Sequence, residues 1–191
     1  QAEVRVRGAR KLPPGLKAIV HKDIERYEML GVIDIVTQIE LFNPKFRGNK
    51  LIELVVEDLP GDPPEEFEVI VDYKGMKRPD LSAADKDLWK IYEWQVHTYA
   101  HLRSTLTTKP IIAGLLIYLN ELVPTKSDFY ALRKAVKDGR KDAILPESGS
   151  DDERTLLTWK PKDKNDDPPL LSIDFRLTRA IRVVPIDEAS K

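Results

Sequence analysis

Two apolar runs constrain this chain more than anything else in it: FEVIVDYKG at residues 67–75 and PIIAGLLIYLNEL at 110–122. The first is rich in β-formers and closed by Gly75, and the second has the composition of a strand buried on both faces. Between them, residues 83–106 read as the longest helix, with Ser82 as its N-cap and Asp85 in the first turn, where the helix dipole favours an acid.

The rest of the chain fits around that nucleus. AIVHKDIERYEMLGVIDIVTQIELF carries a loose period-2 alternation that predicts a strand pair bent near Gly31, and NKLIELVVEDL reads as a helix before the turn PGDPP. Ser127 is expected to cap a short helix ended by Gly139. TLLTW is expected as a short strand between polar loops, and LLSIDFRLTRAIRVV as a strand, or a strand and a short helix. ARKLPPGLK reads as irregular, because Pro13-Pro14-Gly15 stops regular structure. The expected fold class is α/β or α+β: one domain of 191 residues with a central mixed sheet flanked by helices.

With 31 basic and 32 acidic residues, the whole molecule has no field to draw it onto a polyanion, so any such partner must meet a local patch. Residues 1–17 form a basic arm, with Arg5, Arg7, Arg10, Lys11 and Lys17 against Glu3, while residues 51–68 hold seven acids and no base. The absence of cysteine excludes a disulfide scaffold, a thiolate zinc site and a cysteine-bound iron–sulfur cluster, and is compatible with a cytoplasmic location. No apolar stretch approaches the ~20 residues that span a bilayer, so a membrane is not an expected partner. The chain begins at Gln1, read as the start of a fragment or processed form.

Asp72-Tyr73-Lys74 is the one acidic-x-Lys triplet in the sequence. Strand geometry puts Asp72 and Lys74 on one face with the Tyr73 carbonyl between them, a set suited to a hard cation beside a phosphate. One carboxylate holds Mg2+ poorly, which makes Asp34, set among Val32-Ile33 and Ile35-Val36, the natural second ligand. Gln95 and Tyr99 stand on the expected core stripe of the long helix, Leu88-Ile91-Gln95-Tyr99-Leu102-Leu106. The plainer readings are a solvated ion pair at Asp72 and Lys74, a buried base beside Asp34, and Gln95 and Tyr99 satisfying each other. His97 and His101, at i and i+4, read as exposed polar positions, and Trp89, Tyr92 and Trp94 as packing residues. Lys77 and Arg78 are candidate phosphate contacts.

GVID, IVDYKG and QVHTY, in that order and followed by AGLLIYL, resemble the RecB-like nucleases of the PD-(D/E)XK superfamily over about residues 25–120. The resemblance implies a restriction-endonuclease-like core and a nuclease dependent on Mg2+ or Mn2+ and acting on DNA. It implies that Asp34, Asp72 and the Tyr73 carbonyl hold the metal and that Lys74 is the catalytic lysine, with Gln95 and Tyr99 shaping the site. The 37 residues between Asp34 and Asp72 imply an insertion, at about 43–66. Relatives carry an upstream His or Glu ligand, for which His21 is the candidate. The rival expectation is a nuclease-like module without catalysis that binds DNA or other DNA-processing subunits.

Overall fold

The computed structural model describes residues 1–11, 26–81, 85–163 and 166–186. It is α+β, with a five-stranded mixed sheet in the order β1-β2-β3-β4-β5. The strands are β1 (Ala2–Lys11), β2 (Arg26–Glu40), β3 (Glu66–Lys74), β4 (Ile111–Tyr118) and β5 (Ile181–Pro185). The helices are α1 (Lys50–Glu57), α2 (Lys86–Ser104), α3 (Leu119–Leu122), α4 (Lys126–Asp138), α5 (Asp151–Thr158) and α6 (Ile173–Ala180). They fall into two compact units, one of Gln1–Asp72, Glu93–Leu115 and the residues from Val184, the other of Tyr73–Tyr92 and Leu116–Val183.

In the first unit, β1 and β2 form an antiparallel pair from Ala2↔Ile35 to Lys11↔Arg26, so most of the basic arm is a strand, and residues 9–11, expected as irregular, are its end. The signal was present: Val6 is buried between exposed Arg5 and Arg7, a period-2 pattern obscured by its bases. Residues 12–25, including Pro13-Pro14-Gly15 and His21, lie outside the described residues. β2 is a single strand through Gly31 where a bent pair was expected. It exchanges its partner at Ile35, pairing with β3 from Ile35↔Val71 to Glu40↔Glu66.

Helix α2 lies against this sheet where three glycines leave room for it. A Cβ at Gly8 of β1 would fall 2.5 Å from Leu102 Cδ2, one at Gly31 of β2 would fall 2.8 Å from Tyr99 Cε1, and one at Gly114 of β4 would overlap Val96. The helix residues 96, 99 and 102 are thus one i, i+3 ridge, each filling a gap on a different strand. The buried stripe is Val96-Ala100-Leu102. Leu88 and Ile91 of the expected stripe, and Leu106 beyond the helix, are exposed, because polar and apolar residues are mixed around α2 and sequence spacing alone did not choose the face.

The second unit has its own core of Phe129, Leu132, Leu156, Leu171 and Phe175, from α4, α5 and α6 and the segment before α6. Thr125, not Ser127, caps α4, in a reciprocal capping box with Asp128, and Gly139 ends it with φ 60°. TLLTW proves helical through Thr158: Ser150 caps α5 and Asp151, Asp152 and Glu153 occupy its first turn, where acids complement the dipole. The closing segment is helix and then strand, α6 followed by β5. Among the described residues no helix is long and apolar enough to cross a membrane.

Candidate metal and phosphate site

Asp34 and Asp72 both belong to the first unit. Ile35 of β2 lies opposite Val71 of β3, so Asp34 and Asp72 are chain neighbours of the last residues that pair the two strands. Ile33, Val36 and Ile39 are the buried residues of β2. Glu3, which falls between the pairs Ala2↔Ile35 and Val4↔Ile33, takes the left-handed φ of 51°.

Asp72 is 5% exposed and ends a run in which Phe67, Glu68, Val69, Ile70, Val71 and Asp72 are all buried. Burial of a carboxylate is costly unless it has partners. The strand already contains one that has them: Glu68, 6% exposed, receives a bidentate pair from Arg103 Nε and Nη2 at 2.9 and 2.8 Å, and a hydrogen bond from Thr107 Oγ1 at 3.2 Å. The Arg103 hydrogen bonds hold the Glu68 carboxyl below its ordinary value of 4.5. In the sequence Glu68 is the last acid of the run 51–68, which holds seven acids and no base. Its partner lies 35 residues away on α2, beyond what local pattern reveals.

Gln95 and Tyr99 are half-buried on α2, and Gln95 Nε2 donates to the Tyr99 hydroxyl at 3.0 Å. The pair is one unit, fixed by the fit of the Tyr99 ring against Gly31, three residues before Asp34. His97 and His101 are half-buried and not exposed as expected.

Tyr73 and Lys74 are the last residues of β3 and belong to the second unit, Tyr73 being exposed. The Lys74 ammonium lies over the Tyr92 ring, 4.4 Å from its centroid. The chain beyond is held in place: Asn120 Nδ2 donates to the Gly75 carbonyl at 3.3 Å, and the Tyr92 hydroxyl donates to Met76 Sδ at 3.0 Å. Lys77 pairs with Asp128, and Arg78 Nη1 donates to the carbonyls of Thr178, Arg179 and Ile181 at 3.0, 3.1 and 2.8 Å. Burial, and then the neighbouring Arg182, push the Arg78 guanidinium down to about 10. Both side chains offered for phosphate contact are thus engaged within the protein. Trp89 is buried, with Arg182 4.0 Å over its ring, whereas Trp94 is exposed.

The second unit also holds a cleft of about 390 Å³ lined in part by Arg78, Asp80, Glu121, Asp128, Arg140 and Arg179. Its charges meet one another: Arg179 Nε reaches Glu121 at 3.0 Å, and Arg140 bridges Asp80 and Asp142. Among the described residues no cluster of three or more His, Cys, Asp or Glu is placed to hold a metal ion.

The class that the fold defines is an α+β protein with a five-stranded mixed sheet. Compared with protein-family models, with curated proteins and with solved structures, the chain has no significant match.

Proposed function

We propose that this chain is a divalent-metal-dependent nuclease that hydrolyses DNA phosphodiester bonds, with a restriction-endonuclease-like core. The observation that supports the reading is the pairing of β2 with β3, which ends at Ile35↔Val71, the residues next to Asp34 and Asp72. Two carboxylates are hard oxygen donors, the chemistry that Mg2+ or Mn2+ requires, and the Tyr73 carbonyl is a third oxygen of the same kind. When bound, the cation supplies charge neutralisation at the phosphate and a water of lowered pKa.

The protein's own groups supply the rest. Lys74, two residues beyond Asp72 on β3, donates hydrogen bonds to a phosphate oxygen and offsets the charge that grows there in the transition state. The Gln95–Tyr99 pair shapes the edge of α2 against Gly31. Arg5, exposed on β1, attracts the nucleic acid backbone in a salt-dependent way, while Arg7 on the same strand pairs with Glu28 at 2.5 Å.

The test is incubation with single- and double-stranded DNA and Mn2+, with chelator controls, for the wild type, Asp72→Asn and Lys74→Ala. Cleavage by the wild type that both substitutions abolish is the expected result. Cleavage that survives both sinks the assignment. DNA binding without cleavage by the wild type selects the non-catalytic module.

A further inference from the structure

We infer that Tyr92 is a positioning residue for Lys74, an inference that rests on the nuclease reading above. A lysine side chain has four flexible carbons, and its charge does not by itself fix where the ammonium sits. Here the ammonium lies 4.4 Å from the Tyr92 ring centroid, within the range of a cation–π attraction. The ring is itself held. Its hydroxyl donates to Met76 Sδ at 3.0 Å, and Met76 stands two residues beyond Lys74 on the same stretch of chain. Asn120 holds the intervening residue through the Gly75 carbonyl. Lys74, Gly75 and Met76, the last two exposed, are thus each tied to α2 or α3 within the second unit.

The chemistry of the partner matters. An aromatic face attracts the cation through its quadrupole, keeps the charge, and leaves N–H donors directed away from the ring. That suits a group that must meet an anionic oxygen at a fixed distance, where small misplacements carry large rate penalties. Tyr92 touches neither substrate nor metal in this scheme and acts through Lys74. The sequence did not mark it, because Lys74 and Tyr92 lie 18 residues apart on different elements.

The test combines a structural and a kinetic readout on the full chain. In the NMR spectrum, the Lys74 ε-methylene protons are expected to carry an upfield ring-current shift that persists in Tyr92→Phe and disappears in Tyr92→Leu. Tyr92→Met, which keeps volume and helix propensity, serves as a second ring-less variant if the leucine form folds poorly. With Mn2+ and DNA, the ring-less variants are expected to lose about tenfold in kcat with KM changed less than about twofold, and Tyr92→Phe to stay within about threefold of the wild type. A ring-current shift absent from the wild type, or retained in the ring-less variants, overturns the placement whatever the activity. Equal kcat in wild type and ring-less variants overturns the positioning role while the nuclease reading stands. A wild type that does not cleave overturns the nuclease reading, and this role with it.

Discussion

Gly31 and Tyr99 are shaped to each other: a single methyl carbon added at Gly31 would stand 2.8 Å from Tyr99 Cε1 and 3.4 Å from Val6 Cγ2. The glycine is therefore the condition for α2 to lie as close to β2 as it does. Gly31→Ala is expected to cost about 1–3 kcal/mol by overpacking, read as a lower urea midpoint. The same substitution in a Tyr99→Ala background should cost distinctly less, because the obstructing ring is gone. Equal costs in both backgrounds would show that the ring does not limit the approach.

The Glu68–Arg103 pair ties β3 to the end of α2 with side chains only 7% and 14% exposed. Arg103→Leu strands a buried carboxylate and is expected to cost about 3 kcal/mol. The pH dependence follows from the carboxyl's depressed pKa, since the folded state binds its proton less readily than the unfolded chain does. Its contribution is complete above the ordinary value of 4.5 and is lost as pH falls through the lower folded value. Denaturation midpoints of wild type and Glu68→Gln, measured from pH 7 down to about pH 3, should converge on the acid side.

Much of the frame was legible in the sequence. β3, the helical nature of α1 and the long helix α2 follow from composition and period, and Gly139 ends α4 as expected. What escaped is non-local or masked. β1 alternates Val4, Arg5, Val6, Arg7, a strand pattern read as charge. The face of α2 was assigned one residue out of phase, since exposed Leu88 and Ile91 are as apolar as buried Trp89 and Val96. At the site, the positions of Asp34 and Asp72 on facing strands follow from the pattern. The ring beneath Lys74 and the carbonyls around Arg78 do not, since tertiary packing alone brings them there.

Arg78 illustrates how a base can be taken for a nucleic-acid contact. Its Nη1 group satisfies three carbonyls at the end of α6, about 100 residues away in sequence, where a cation also suits the helix dipole. Arg78→Met is expected to lower stability by about 2 kcal/mol through those lost acceptors. The slope of DNA affinity against salt should not change, whereas loss of a true phosphate contact reduces it by about 1. A shallower slope with unchanged stability would return Arg78 to the DNA interface.

Metal binding is separable from catalysis. If Asp34 and Asp72 share a cation, Mn2+ must stabilise the folded chain by mass action, since the unfolded chain does not hold the two carboxylates together. At a tenfold excess over the dissociation constant the gain is about 1.4 kcal/mol, visible as a rise in Tm. Asp72→Asn should abolish that rise. Loss of the Mn2+ response in that variant separates a cation site from a merely structural aspartate, whose loss would lower Tm and leave the response to Mn2+ in place. A Tm that rises with Mn2+ as much in Asp72→Asn as in the wild type would place the ion elsewhere and remove the central support for the nuclease reading.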